Sequence, residues 1–393
     1  MPTASIGVAV VGAGMAGRAH LSGYRTASTL FDPGLPEVRL VAVADAHEPF
    51  ARDAARRYGY RRAETDWRAI AAAPDIDAVS VVVANPLHRE IVEGLLAAGK
   101  HVLCEKPLAP STADAQAMAD AAARTDRVAA VGFTFRRSPA INAIREQITD
   151  GGLGQVRHFN GHYWCDYGHH PDAPMSWRYR GGPGSGALAD IGSHLVDLGE
   201  YLCGPVESVR GTVLTTVVGD RPVPLGTAVG HSAAVPVGDE RAPVENEDIA
   251  TFTLTFRSGA VGTFSVSRVA YGLANSLGFE AFCDNGAAAF DLVRPGEFTL
   301  ADATPAGPVN GYRQVLIGPD HPYVAQGLPM DFPSVGHGQN EFFAFQARAF
   351  LDQIAGLDRL PPCPPLAHGL HNLRILDAVV AAAHADGRSV TVA

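Results

Sequence analysis

Two stretches carry the residue types that acid–base chemistry needs. The first is Cys104-Glu105-Lys106-Pro107-Leu108, between a strand-like His101-Val102-Leu103 and a helix-like run with Ser111 or Thr112 as N-cap. A lysine there stands at the carboxyl end of a parallel strand, where open α/β sheets bind their ligands. Beside Glu105 its ammonium can be held as an ion pair; partly desolvated, it moves toward the range useful for proton transfer. Pro107 restricts Lys106 to extended geometry and admits a cis bond. Taken alone, the tripeptide fits a solvated surface pair equally well. The second stretch is Asp190-Ile191-Gly192-Ser193-His194-Leu195-Val196-Asp197, inside a helix expected over residues 187–202. Asp190 and His194 are four apart and so share a helix face, with Asp197 three further on. Histidine is the commonest general acid or base, and a carboxylate one turn away orients its ring or raises its pKa. A surface ion pair or a core histidine explains the same spacing. His162, His169 and His170 lie upstream, but the spacing matches no zinc pattern, so no metal is expected.

The elements that must position these residues begin with a nucleotide-binding signal. An apolar run at residues 6–11 enters Gly12-Ala13-Gly14-Met15-Ala16-Gly17, a strand, glycine turn and helix start. Gly12 permits the tight turn, Gly14 lets backbone approach a pyrophosphate with Met15 and Ala16 beside it, and Gly17 lets helix pack on strand. The next strand, 38–44, ends at Asp45, which would accept hydrogen bonds from an adenosine ribose and repel a 2′-phosphate. That favours NAD over NADP. Asp45 comes later than the roughly 20 residues expected after the motif, and Phe31-Asp32-Pro33-Gly34-Leu35-Pro36 reads as the loop insertion responsible. Strand-end capping is the alternative role for Asp45.

Strand and helix patterns then alternate: helices at 49–58, 67–73, 89–98 and 113–123, strands at 78–83, 101–103 and 128–132. This spacing predicts a doubly wound parallel sheet, a Rossmann domain over residues 1–131. Three strand ends, at Gly12–Gly17, Asn85–His88 and Glu105–Pro107, should converge on one crevice. From residue 132 the texture changes to strands at 156–164, 206–218, 248–256, 260–269, 277–284 and 287–292. Ser258-Gly259 and Asn285-Gly286 read as hairpin turns. Residues 132–393 are therefore expected to form an α+β domain with a large, mainly antiparallel open sheet, with 222–242 and 304–334 as long loops.

Composition narrows the class. A chain of 393 residues is longer than one core usually organises. Hydrophobic residues at 47% and charged residues at 18% describe a globular protein, and a net charge of −10 argues against nucleic acid or an anionic membrane as the main partner. Five scattered cysteines fit reduced thiols, no basic-then-apolar leader opens the chain, and no apolar run reaches spanning length. The expected location is cytoplasmic.

Together these residues resemble the Gfo/Idh/MocA family of sugar and cyclitol oxidoreductases. The resemblance rests on the glycine motif, Asn85-Pro86-Leu87-His88, Glu105-Lys106-Pro107, Trp177-Arg178 before the glycine-rich 181–186, and Asp190-Ile191-Gly192-Ser193-His194. It implies a catalytic set of Lys106, Asp190 and His194 at the nicotinamide, which Trp177 and Arg178 approach. It also implies cofactor contacts from Asn85, His88 and Glu105, and a homodimer or homotetramer packed through the second sheet. Glu247-Asp248-Ile249-Ala250, Ser267-Arg268-Val269 and Phe279-Glu280 are similar to a branch that oxidises glycosides and levoglucosan. In the expected reaction a secondary alcohol gives hydride to NAD⁺ while His194 takes its proton and Lys106 stabilises the oxyanion, or with those two roles exchanged. Sugar recognition needs polar groups and an aromatic wall, with Phe135, Arg136, His162, Trp164, Asp166 and His337 as candidates. Three rivals are a keto-sugar reductase, a nucleotide-binding sensor without turnover, and a hydrolase using NAD transiently. Net NADH formation on a sugar and cyclitol panel separates them.

Overall fold

The computed structural model describes residues 5–31, 34–150, 152–226, 235–302, 311–325, 327–332 and 335–392. Parts of the expected loops at 31–36, 222–242 and 304–334 thus lie outside the described residues. The chain divides into two compact units, Met1–Arg137 with Gly318–Leu373, and Ser138–Ile317 with Arg374–Ala393.

In the first unit six parallel strands, β1 (Ser5–Val11), β2 (Glu37–Ala44), β3 (Arg62–Glu64), β4 (Ala78–Val81), β5 (His101–Glu105) and β6 (Ala129–Gly132), lie in the order β3-β2-β1-β4-β5-β6. Helices α1 (Met15–Ala27), α2 (Glu48–Tyr58), α3 (Trp67–Ala72), α4 (His88–Ala97) and α5 (Thr112–Ala123) alternate with them. Every residue of β4 is buried, as for a strand covered on both faces. Strand order reverses between β1 and β4, and ligands of open α/β sheets bind at such a switch point.

The second unit holds α6 (Pro139–Thr149), β7 (Val156–Trp164), α7 (Ser193–Cys203), β8 (Val206–Thr215), β9 (Asp220–Pro224), β10 (Val237–Pro243), β11 (Ile249–Phe256), β12 (Val261–Ser267), β13 (Ser276–Cys283), β14 (Gly286–Asp291), β15 (Glu297–Asp302) and β16 (Arg313–Leu316). With β17 (Val390–Thr391) they form a nine-stranded sheet, β16-β15-β14-β13-β7-β12-β11-β8-β17, and a separate β9–β10 ribbon. All neighbours in the large sheet are antiparallel except β7 and β12. The expected hairpins at Ser258-Gly259 and Asn285-Gly286 join β11 to β12 and β13 to β14. Alternation builds the core: Ala250, Phe252, Leu254 and Phe256 of β11 are buried, while the threonines between them are half-exposed. Phe252, Phe159 and Phe279 form a chain of rings with Phe264, centroids 5.3–5.5 Å apart. Helix α7 covers this face, since a Cβ on Gly199 would lie 2.8 Å from the Phe264 ring.

The chain crosses between units three times, not once near residue 131. Residues Gly318–Leu373 return to the first unit because α8 (Gln339–Ala355) buries its apolar side on α1. Phe343 meets the edge of His20 at 5.3 Å, and Arg348 reaches the carbonyls of Leu30 and Phe31. Helix α9 (Leu366–His384) contributes to both units, its first turns to one and the remainder to the other. Among the described residues no helix is long and apolar enough to cross a membrane.

Candidate active site

In the first unit the glycine turn is shaped by close approach. Gly12 sits at φ +105° with the place of a Cβ only 2.1 Å from the Val82 carbonyl oxygen, so no side chain fits. Above Gly14 the opposite holds: a Cβ there would meet nothing within 4 Å, which leaves the N-terminus of α1 open to an approaching anion. Met15 is 54% exposed at this mouth. Asp45, at the end of β2, braces the turn. One carboxylate oxygen accepts the Ala13 N–H at 2.8 Å and the other the His47 N–H at 2.8 Å. Each oxygen keeps a lone pair for a ribose hydroxyl. An open glycine cradle, a helix N-terminus and an acid in one place fit a dinucleotide without a 2′-phosphate.

Strand β4 ends in a single 3-10 turn, Asn85–Leu87, that leaves Asn85 half-exposed. His88 is different. It is fully buried, its ring nitrogens each 3.1 Å from a backbone oxygen, of Leu108 and of Val83, and burial lowers its pKa. The side chain ties the β4 and β5 loops together.

At the end of β5 the Lys106–Pro107 bond is cis and Lys106 is half-exposed. Glu105 lies beneath it, 8% exposed, with Oε2 accepting the Lys106 N–H at 3.2 Å and Oε1 2.9 Å from His20 Nε2. The His20 ring continues to the Ser80 hydroxyl at 3.1 Å, and that hydroxyl lies 2.8 Å from the Tyr24 hydroxyl. Burial pushes the Glu105 carboxyl up, but the hydrogen bond from His20, with the charge and backbone N–H of Lys106, outweighs it and holds the group below the usual range. Sequence reasoning missed His20, Ser80 and Tyr24. The signal was modest: a histidine on the buried side of α1, just past the glycine motif.

In the second unit the Asp190–His194 stretch enters through a π-helical turn, Leu188–Gly192, and continues as α7. Single π turns inside α-helices recur at functional sites. Glu247 caps the entry, its carboxylate accepting the N–H groups of Gly184, Gly186 and Leu188 at 2.7, 3.1 and 3.0 Å. Asp190 Oδ2 accepts the Tyr167 hydroxyl at 2.7 Å and lies 3.6 Å from Arg178 Nε. The Arg178 guanidinium stacks on Trp177, 4.5 Å from the ring centroid. Its carbonyl is fixed by Arg268 at 2.9 Å and Asn246 at 3.0 Å, and Arg268 forms a fully buried pair with Asp248 at 2.7 Å. His194 is 9% exposed and its ring centroid lies 6.2 Å from that of Tyr163. A carboxylate and an imidazole one turn apart, each backed by phenols, can take and orient a proton.

The NAD-binding Rossmann-fold model of the Gfo/Idh/MocA oxidoreductases matches residues 6–133, and the C-terminal domain model of the same family matches 141–289. A levoglucosan dehydrogenase from Pseudarthrobacter phenanthrenivorans is 35% identical over 382 residues, 96% of each chain. The chain belongs to the Gfo/Idh/MocA family. A solved levoglucosan dehydrogenase in complex with NADH and L-sorbose matches it with a TM-score of 0.90, 32% identity and complete coverage of both chains. The D-glucoside 3-dehydrogenase of Escherichia coli is 32% identical over 216 residues, 52% of this chain and 56% of its own. This Gfo/Idh/MocA protein is an oxidoreductase and its cofactor is NAD.

The expected substrate-contact residues lie in different surroundings. His162 and Trp164 alternate with Tyr163 on β7 and so project from the face opposite α7. They stack on each other at 4.0 Å, and the Trp164 indole donates to Ser265 at 2.9 Å. Both sides of this strand are aromatic, so composition alone could not choose the face. Tyr163 and Tyr167, not singled out from sequence, are the residues beside His194 and Asp190. Phe135 is 2% exposed and belongs to the first unit's core. His337, 7% exposed, lies in the same unit with its ring 6.0 Å from Phe342 of α8.

Proposed function

We propose that this oxidoreductase oxidises a secondary hydroxyl of a sugar, anhydrosugar, glycoside or inositol. Bound NAD⁺ supplies the hydride acceptor. His194 takes the hydroxyl proton, Lys106 donates a hydrogen bond to the same oxygen as charge develops on it, and Asp190 orients the imidazole or holds a neighbouring hydroxyl. Gly12, Gly14, Met15, Ala16 and Asp45 hold the adenosine and pyrophosphate, with Asn85, Trp177 and Arg178 toward the nicotinamide. Glu105 serves from beneath, through Lys106. The observation that carries this reading is the similarity of the chain, over 96% of its length, to a levoglucosan dehydrogenase; a lysine whose backbone N–H is held by a buried carboxylate in one unit and an Asp190–His194 turn in the other support it.

The test is NADH formation with levoglucosan, methyl glucosides and myo-inositol, each offered with NAD⁺ and with NADP⁺. Turnover on at least one, faster with NAD⁺, is expected. Tight NADH binding with no turnover on any member, in either direction, would leave a sensor. We also propose a cytoplasmic homodimer or homotetramer packed through the threonine-rich face of the large sheet, where Val261 and Phe282 are 42% and 38% exposed. A monomeric mass in light scattering at micromolar concentration would rule this assembly out.

A further inference from the structure

Among 31 basic residues only two are lysines, Lys100 and Lys106. Lys100 is structural, its buried ammonium donating to the Ala73 and Ile76 carbonyls at 2.7 and 2.8 Å. Lys106 is placed by what lies under it, and the network there is directional. A neutral His20 that donates from Nε2 to Glu105 leaves Nδ1 to accept from the Ser80 hydroxyl, whose oxygen then accepts from Tyr24. This is the arrangement in which every donor in the chain has an acceptor. A doubly protonated ring would turn Ser80 around and leave the Tyr24 proton without one. All four side chains are buried, so a broken link is not repaired by solvent. Gly132 of β6 makes room for the carboxylate, because a Cβ there would lie 2.8 Å from Glu105 Oε1.

We propose that His20 is a positioning residue for Lys106: it holds Glu105 as a fixed carboxylate, and Glu105 in turn sets where the Lys106 backbone and ammonium stand. The proposal rests on Lys106 being the lysine that meets the substrate oxygen. The other titratable groups facing Glu105 are Lys106 itself, the buried His88 of α4 and the Cys104 thiol of β5. Of the groups around Glu105, His20 is the one whose ring nitrogen hydrogen-bonds the carboxylate directly. It also sits on the helix whose N-terminus forms the glycine cradle, so one element serves both the cofactor and the lysine.

Scarcity of lysine makes the test direct. Biosynthetic incorporation of ¹³Cε-lysine labels Lys100 and Lys106 without modifying either amine, and a Lys106→Arg variant assigns the signals. In His20→Leu the Lys106 resonance should move while that of Lys100 stays. NADH affinity should remain within about twofold, and kcat on the best member of the polyol panel should fall about tenfold or more, as misplacement of a reacting group predicts. His20→Gln, whose amide can still donate to Glu105, should restore most of both. An unmoved Lys106 resonance in folded His20→Leu overturns the proposal, as does equal displacement of both lysine signals, which marks a general loss of structure. Should His20→Leu not fold, Ser80→Ala is read instead: a smaller shift of Lys106 in the same direction supports the proposal, and none overturns it. If the parent enzyme turns over no polyol, the functional reading fails by itself, and the resonance comparison still decides the role of His20.

Discussion

Single histidines in this protein do opposite jobs, and their surroundings say which. His101 accepts the Val128 N–H on Nδ1 at 2.9 Å, and burial together with the Arg127 guanidinium lowers its pKa to about 4. A proton on Nδ1 would abolish that bond, so the folded chain prefers the neutral ring. Because the folded pKa lies below the unfolded value near ~6.5, the unfolded chain binds more protons on acidification. The contribution is full above pH ~6.5 and is lost as pH falls toward 4. His321, also lowered to about 4 by burial, acts in the same direction. We predict a fall in stability of order 1–3 kcal/mol per histidine across that window. The readout is the urea midpoint at pH 7 and pH 4.5. His101→Asn keeps an acceptor for Val128 without titrating and should flatten the slope, and an unchanged slope would show that His101 does not drive it.

Among the elements, the entry to α7 is the most exposed to a single change. Glu247 is 3% exposed and satisfies three backbone donors at the start of the turn that carries Asp190. Glu247→Ala would strand those donors in a buried place, which should lower stability by about 2–4 kcal/mol and loosen Asp190 and His194 together. Glu247→Gln, which keeps one oxygen acceptor, should lose less. Equal stability of the alanine variant and the parent in denaturant melts would refute the capping role. Much at this scale was legible. The glycine motif, the strand–helix alternation and both hairpin turns each have a local chemical cause, and the structure places them as expected. The β9–β10 ribbon was not, because Val237–Pro243 has no apolar alternation and is half-exposed to exposed throughout, and its pairing includes the cross-strand Arg241–Asp220 ion pair instead. Nor was the return of α8 to α1, since amphipathic helices carry no address. At the candidate site the chemistry-bearing residues were readable from type and spacing. What was not readable was depth: Phe135 and His88 are enclosed by packing that only the tertiary structure supplies.

For the molecule as a whole, the decisive point is that Lys106 belongs to the first unit and His194 to the second. Each is anchored within its own unit, Lys106 through Glu105 and His20, and the Asp190–His194 turn through Glu247, Tyr167 and Arg178. The proposal that both act on one substrate oxygen is therefore a claim about coupling across the chain, and coupling has its own signature. Groups that work on the same atom in one transition state are strongly non-additive, because removing either already forfeits the shared stabilisation. We predict that Lys106→Ala and His194→Ala each lower kcat about 10²–10⁴-fold with NADH affinity nearly unchanged, the range expected for general acid–base groups. The double variant should fall little below the worse single one. Additive losses, with the double variant reaching the product of the two factors, would mean that the residues act at separate steps or on separate atoms. The same cycle in the reductive direction on the matching keto compound must give equal couplings in kcat/KM, since both directions pass through one transition state and the reaction's equilibrium constant is fixed.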